Sequence, residues 1–294
     1  MTNGNLAIDN FIPEIWSARL LVSLKKSLVY GQEGVVNRDY EGEIRQMGDT
    51  VRINSIGPIT VGTYTKNTNI GDPETLTDAQ TVLTIDQAKY FNFQVDDIDR
   101  AQQNPKVMDA AMQEAAYALR DAADQYIAGL CTGVAAGNTI GGDAAPKEVD
   151  KTNAYELLVD LAVILTDAKV PTDGRWVVVP PWFYGTLLKD DRFIDASKAG
   201  TTDGLRNGEV GKAAGFTVLQ SHNVPNTSGA KYKIIAGHLM AISYAEQINK
   251  VEAYRPEKRF ADAVKGLHLY GAKLVRPEAI AVLTANKKSA NSTS

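Results

Sequence analysis

The spacing of apolar residues between positions 50 and 95 predicts a long β-hairpin. The outgoing arm carries apolar side chains at short intervals, at Val51, Ile53, Ile56, Ile59, Val61 and Tyr64. The returning arm carries them at Val82, Leu83 and Ile85, and then in strict alternation at Phe91, Phe93 and Val95. The polar stretch at residues 66–80 contains turn-forming residues and is predicted to be the tip.

The predicted hairpin has little apolar surface of its own to bury. Each arm of about 15 residues would extend roughly 50 Å, whereas a compact domain of this length has a radius of gyration of about 19 Å. An isolated two-stranded hairpin is only marginally stable in water. We therefore expect its base, with Phe91, Phe93 and Val95, to be anchored on the rest of the chain and its tip to be ordered by a neighbouring copy.

A helical pattern follows the hairpin. Asn104 is suited to cap a helix, and Pro105 to its first turn. The predicted apolar stripe recurs every three or four residues, at Met108, Met112, Ala115, Leu119, Ala122, Tyr126 and Gly129. The predicted polar face holds Asp109, Gln113, Arg120, Asp121 and Asp124. Residues 12–30 also show helical spacing, and residues 33–48 are predicted to be extended.

Helical and extended patterns alternate in the remainder of the chain. A helix is predicted to begin at Asn153, where Glu156 three positions later completes a capping box. The wholly apolar residues 176–179 predict a strand buried on both faces, residues 182–188 a short helix, and residues 195–212 a long loop. Later strands are predicted at residues 216–220, 232–236, 239–244, 248–254, 260–270, 273–275 and 280–283.

Composition and charge argue against some classes of function but do not identify one. The 294 residues are 44% apolar and 22% charged, with a net charge of −4, which is ordinary for a soluble globular protein and argues against a protein whose main task is to grip nucleic acid. The single cysteine, Cys131, allows no internal disulfide and is expected to be buried near a helix end. Neither a signal pattern nor an apolar run of about 18 residues is present, so we expect a cytoplasmic protein without a membrane partner.

The chain offers no convincing catalytic, cofactor-binding or metal-binding motif. His222, His238 and His268 are not spaced as metal ligands, and we interpret them as surface or strand residues. The acidic residues at 96–99 do not continue into an EF-hand loop. Gly211 and Lys212 lack the other residues of a phosphate-binding loop. We therefore expect no enzyme activity and no cofactor.

The order of these parts resembles that of the major capsid proteins of tailed double-stranded-DNA bacteriophages, a fold shared with encapsulins. Three stretches carry the resemblance. They are RWVVVPPWFYGTLL, which ends at Leu188, AAGFTVLQSHNVP, which ends at Pro225, and the closing segment up to Leu283 with its Arg276-Pro277-Glu278 turn. Together with the hairpin and the long helix, the resemblance covers nearly the whole chain.

The resemblance implies an α+β fold, the tailed-phage major capsid protein fold, with an N-arm, an extended loop, a peripheral domain built on a long spine helix and an axial domain. The implied divisions are 1–49 for the N-arm, 50–96 for the extended loop, 97–139 for the peripheral domain with its spine helix, 140–245 for the axial domain, 246–271 for the long strands of the peripheral domain, and 272–294 for the final strand and tail.

The resemblance also implies a function. Hexamers and pentamers of the chain would assemble into an icosahedral shell that encloses double-stranded DNA without sequence-specific binding. The chain would be part of the virion, assembled in the host bacterial cytoplasm, with a scaffolding protein, a portal and a decoration protein as implied partners. Side chains of the tip and the N-arm are the expected interface residues, namely Lys66, Asn67, Asn69, Asp72, Glu74, Trp16 and Arg19.

Two other interpretations stay open at this point. An encapsulin-like shell of the same fold would enclose enzymes instead of DNA. A soluble α/β enzyme or ligand-binding domain would instead be a monomer or small oligomer with an ordered pocket.

Overall fold

The computed structural model describes most of the chain, namely residues 29–40, 48–56, 61, 63–67, 69, 78–96, 106–190, 211–258 and 260–288. The helices of these ranges are α1 (Lys106–Gly129), α2 (Ala154–Asp167) and α3 (Pro181–Leu187). The strands are β1 (Thr50–Ile56), β2 (Asp78–Thr84), β3 (Gln87–Asp96), β4 (Thr139–Ile140), β5 (Lys147–Val149), β6 (Arg175–Val179), β7 (Lys212–Ala213), β8 (Phe216–Gln220), β9 (Asn226–Thr227), β10 (Lys231–His238), β11 (Ile242–Tyr254), β12 (Ala261–Leu274) and β13 (Ile280–Lys287).

A mixed eight-stranded sheet contains most of the core. Its order is β4-β13-β10-β6-β8-β7, with β5 on β13 and β9 on β10. All five residues of β6 are buried, as its apolar sequence predicts for a central strand, and β6 lies between an antiparallel and a parallel neighbour. Helix α2 contributes Leu157, Leu158, Leu161 and Leu165 to the same core. The predicted strand at 176–179 and the helix at 182–188 are thus confirmed.

The start of α2 is as predicted, but the capping box at its start is wrong. The Asn153 side chain accepts the Asp150 amide at 2.9 Å and donates to the Glu148 carbonyl at 2.8 Å, and it makes no cap hydrogen bond to the helix. Asp150 in turn accepts the amides of Thr152 and Asn153. The side chains of Asp150 and Asn153 therefore form hydrogen bonds within the turn before the helix, and Asn153 does not cap the first amides of the helix.

A three-stranded antiparallel sheet in the order β11-β12-β3 forms a second unit with α1. Phe91 and Phe93 of β3 pack with Val251, Val264 and the helix residues Ala116 and Met112. The buried apolar row of α1 contains Ala116, Leu119, Ala123 and Ile127. It shares Leu119 with the predicted stripe and otherwise lies about one position beyond it. Because alanines occupy both adjacent rows, the apolar pattern did not determine which row faces the core.

The predicted single hairpin from 50 to 95 is wrong in its second half. Strands β1 and β2 do form an antiparallel hairpin, from Thr50 opposite Thr84 to Ile56 opposite Asp78. The chain then turns at Ile85 and Asp86, and β3 pairs with β12 instead, with Phe93 opposite Val264. Alternating apolar residues fit any partner strand, so the alternation could not identify β12. Phe91 and Phe93 do pack on the chain's own helix, but as part of β3 and not as the base of the hairpin.

Several shorter predictions also need correction. The strands predicted at 239–244 and 248–254 are one strand, β11, with an irregularity between Ile248 and Lys250. The strands predicted at 260–270 and 273–275 are both part of β12. Consequently the domain boundaries after residues 245 and 271 fall within strands, and the division into domains stays a prediction.

The N-terminal part also differs from its prediction. Residues 33–35 form a turn and residue 36 a bend, and not an extended stretch, because Val35 and Val36 donate their amides to the Gln32 carbonyl. Val29 and Tyr30 lie in a bend and a turn, whereas the rest of the predicted helix at 12–30 lies outside the described residues. The long loop predicted at 195–212 also lies outside them, apart from its last two residues.

Candidate functional site

The hairpin carries the interface residues that the sequence predicted and the structure describes. Lys66, Asn67 and Asn69 are exposed, and nearby Val61 and Tyr64 are 91% and 70% exposed. Asp72, Glu74, Trp16 and Arg19 lie outside the described residues. The exposed Val61 and Tyr64 are compatible with a contact surface, and the assignment of an interface to this hairpin stays a prediction.

The root of the hairpin packs on β11 and β12. Its inward side chains, Val51, Ile53, Leu83 and Ile85, form a small buried cluster with Ala245 and Leu269. The approach is close because Gly271 of β12 has no side chain. A Cβ atom at Gly271 would lie 2.3 Å from the Thr84 carbonyl oxygen and 3.0 Å from the Ile85 Cα atom. Glycine at this position therefore lets the hairpin backbone lie directly on the sheet.

A second segment, residues 29–40, is attached to the rest of the chain at two points, on α1 and on β11. At the first point, the amides of Val29 and Tyr30 donate to one oxygen of Asp124 at 3.0 and 2.8 Å. The other oxygen accepts Asn223 at 3.1 Å and Ser221 at 3.4 Å. Asp124 is 3% exposed, so its predicted place on the polar face of the helix is wrong.

Among the described residues, the hydrogen-bond partners of Asp124 are uncharged donors. Burial raises the pKa of Asp124, and the hydrogen bonds from Tyr30, Asn223, Val29 and Ser221 only partly oppose this rise. Its carboxylate joins the N-terminal segment, α1 and the loop after β8.

At the second point, the Arg38 guanidinium pairs with Glu246 of β11. The second oxygen of Glu246 accepts the Tyr244 hydroxyl at 2.8 Å and lies 3.2 Å from Nε2 of His268. Burial alone would raise the pKa of Glu246, but the hydrogen bond to His268 and the charge of Arg38 outweigh it and hold the pKa at about 2. Arg38 also lies 5.3 Å from the centroid of the Tyr244 ring, a cation–π distance.

Backbone hydrogen bonds complete the attachment of this segment. The Asn37 amide donates to the Ile242 carbonyl, and the Tyr244 amide donates to the Asn37 carbonyl, both at 2.9 Å. Sequence reasoning missed this arrangement because its partners are far apart in the chain. The available signal was a charge within an apolar run, as for Glu246 in ISYAEQI and Asp124 in AADQYIAGL.

The other candidate residues lie apart from one another. His268 and His238 are buried within strands, and His222 is exposed. In the described part of the chain, no three metal-ligating side chains form a cluster, and no helix there is long and apolar enough to cross a membrane. Cys131 is buried just after α1, as predicted, and burial raises its pKa.

Comparisons with known proteins identify the family. A family model described as phage capsid protein matches residues 78–283, which is more than half of the chain. A solved structure from Mycobacterium phage Che8 is 31% identical, covers 87% of this chain and 91% of its own, and superposes with a TM-score of 0.72. A comparison with the curated proteins gave no match.

More distant structures share the fold. The capsid of cyanophage P-SCSP1u is 16% identical with a TM-score of 0.70, and covers 89% of both chains. A virus-like particle from Pyrococcus furiosus is 15% identical with a TM-score of 0.56, and covers 92% of this chain and 98% of its own. The α+β fold of tailed-phage major capsid proteins, expected from the sequence, is confirmed. This chain belongs to the phage capsid protein family.

Proposed function

We propose that this chain is the major capsid subunit of a tailed phage, and that hexamers and pentamers of it close into an icosahedral head around double-stranded DNA. The observation that supports this most strongly is the phage capsid family match over residues 78–283. The 31% identity to the Che8 structure over most of both chains agrees with it. The protein is therefore a structural component of a virion.

The exposed hairpin supplies a physical route to assembly. Contacts between identical subunits that repeat around closed symmetry axes generate a shell, and contacts made by segments that reach over a neighbour can exceed the ~1,600 Å² of a standard interface. We propose that Lys66, Asn67 and Asn69 lie in such a contact. Asp72 and Glu74 at the tip, and Trp16 and Arg19 in the N-arm, complete the proposed set.

We further propose a scaffolding protein, a portal and a decoration protein as partners, with assembly in the host bacterial cytoplasm. The net charge of −4 fits a shell that encloses DNA without gripping particular sequences.

The second candidate is an encapsulin-like shell, because the fold also matches a virus-like particle from Pyrococcus furiosus. The family match favours the phage head. A portal or terminase gene beside the coding sequence would favour it further, and a neighbouring gene for an enclosed enzyme would favour the alternative.

Electron microscopy of the purified protein, with and without its scaffolding partner, tests the proposal. We expect closed particles or free hexamers and pentamers that convert to particles. Small discrete oligomers under all conditions, with the scaffolding partner present, would overturn it.

A further inference from the structure

Two segments of the subunit, the hairpin β1–β2 and the N-terminal segment 29–40, are attached on opposite faces of one three-residue stretch of β12, residues 268–270, the N-terminal segment through Glu246 of β11. Successive residues of a strand point to opposite faces. Leu269 packs in the cluster that holds the hairpin root. On the opposite face, His268 meets Glu246, the partner of Arg38, and Tyr270 lies beside His268 with ring centroids 5.0 Å apart. One short stretch of strand thus supports both attachments.

A second set of contacts joins the same two segments. The Tyr126 hydroxyl donates to Asp86, at the corner between β2 and β3, at 3.0 Å. The Tyr126 ring meets Tyr270 edge to face at 5.5 Å, and Tyr270 lies 6.5 Å from Tyr244. Tyr244 in turn lies under the Arg38 guanidinium. Side chains in contact therefore run without a gap from the hairpin corner to the N-terminal segment.

The hairpin root is well suited to respond to a change in these contacts. Its buried cluster is small, and Gly271 contributes no side chain to it. Regions with few buried apolar contacts open locally at low free energy and respond to small perturbations. A shift of His268 or Tyr270 would reach the hairpin through Leu269, which lies between them in the chain.

We propose that this junction couples the two segments, so that release of the N-terminal segment from Glu246 loosens the hairpin root, and loosening of the hairpin root weakens the hold on the N-terminal segment. Coupling of this kind is reciprocal by thermodynamic necessity. In a shell it would let a neighbour that binds one segment bias the other. That consequence rests on the proposed function, whereas the coupling itself is a property of the isolated subunit.

Hydrogen exchange on the isolated subunit tests the coupling. The substitution Arg38→Met keeps the aliphatic bulk and removes the ion pair. We expect amide exchange at Leu83 and Ile85 to rise at least about fivefold, a typical coupling between sites. Lys265→Met is the matched control, because it removes an exposed pair between β12 and Glu252, which lies on β11 as Glu246 does. It should leave exchange at Leu83 and Ile85 unchanged.

The reverse experiment changes the hairpin corner and measures exchange at the N-terminal segment, and it tests the coupling even if Arg38→Met does not fold. Tyr126→Phe removes only the hydroxyl that reaches Asp86, and we expect faster exchange at Asn37 and Tyr244. Unchanged exchange at the far segment in either variant, or an equal rise in the central strand β6, would overturn the coupling. A subunit that shows coupling yet forms no shell would overturn the proposed function alone.

Discussion

At the scale of single residues, two buried carboxylates hold the same segment in opposite electrostatic settings. Glu246 faces the cation Arg38 and is held ionised, with its pKa at about 2. Asp124 accepts hydrogen bonds from neutral amides and a hydroxyl, and burial leaves its pKa raised. Neutral donors thus compensate a buried charge less completely than an opposite charge in contact does.

Replacement of Glu246 by Gln should lower the free energy of unfolding by about 3 kcal/mol near pH 7, because it removes the carboxylate charge that pairs with the largely buried guanidinium of Arg38. Urea denaturation of the isolated subunit measures this. Glu252→Gln breaks an exposed pair with Lys265 and should cost less than about 1 kcal/mol. Equal losses for the two variants would contradict the prediction.

The same variant should change the pH dependence of stability. The pKa of Glu246 is lowered from 4.5 to about 2 in the folded protein. The stability that the ionised Glu246 side chain gives to the folded state is therefore fully present above pH 4.5 and is lost as pH falls through 2. Denaturation curves of the parent protein and Glu246→Gln should converge over this window. A difference in stability between the parent protein and Glu246→Gln that stays constant down to pH 2 would contradict this pH dependence.

Asp124 should show the opposite dependence. Since its folded pKa is raised, the folded state takes up a proton more readily than the unfolded chain, and stability falls as pH rises through the window above its ordinary value of 3.8. The stability of the parent protein relative to Asp124→Asn should therefore improve as pH falls towards 3.8.

Asp124→Ala is the comparison variant for Asp124→Asn, because it removes the acceptor of the Val29 and Tyr30 amides. It should cost roughly 1–3 kcal/mol at every pH tested. Thermal or urea unfolding of both variants across pH measures the difference. Parallel pH profiles for the parent protein and Asp124→Asn would show that the charge of Asp124 is not the cause.

At the scale of elements, local sequence patterns predicted whether a segment is a helix or a strand, but not which element it packs against. The apolar run of β6 required burial on both faces, and the structure places it within the large sheet. By contrast, the partner of β3 is β12, far away in the sequence, and nothing in the alternation of Phe91 and Phe93 specifies that strand. Asp124 was assigned to the wrong face because its hydrogen-bond partners come from other segments.

Gly271 controls how closely the hairpin root approaches β12, and Gly271→Ala should displace it. The new Cβ atom would meet backbone atoms of Thr84 and Ile85, which cannot rotate away as a side chain could. We expect a loss of about 1–3 kcal/mol from overpacking, measured by thermal unfolding, and faster proteolysis within the hairpin.

Gly129→Ala, at the end of α1, is the matched control, because a Cβ atom there meets nothing within 4 Å. It should leave the stability of the subunit unchanged or slightly higher. If Gly271→Ala were as stable as this control, the close approach of the hairpin to the sheet would not constrain the root.

At the scale of the whole molecule, the order of parts in the sequence was enough to suggest the family, whereas the junction between the hairpin and the N-terminal segment was not visible. The family resemblance needs only successive local motifs. The junction requires residues from the N-terminal segment, α1, β11 and β12 to meet, as Arg38, Tyr126, Glu246 and His268 do.

Replacement of residues 57–77 by a short Gly-Ser linker should abolish shell assembly and leave the subunit folded. The described residues of the root cluster and of both larger sheets lie outside this range, so we expect circular dichroism and the unfolding transition to change little. Lys258→Ala, an exposed change in the turn between β11 and β12, should assemble normally. Particles of normal yield from the shortened chain would contradict a role of the hairpin in assembly.

Protease digestion gives an independent measure of the same role. We expect cleavage within the hairpin of the free subunit and protection of the same bonds in shells. Equal cleavage in both states would count against a neighbour that covers the hairpin.

The position of β13 has a consequence for synthesis on the ribosome. This strand lies between β10 and β4, inside the large sheet, yet it follows every other strand of that sheet in the chain. Likewise the hairpin is translated well before β12, on which it docks. A nascent polypeptide therefore lacks a fixed hairpin until translation has passed β12, which ends at Leu274, and a finished sheet until it has passed β13, which ends at Lys287. We therefore expect truncated products from stalled ribosomes to be unable to join a particle.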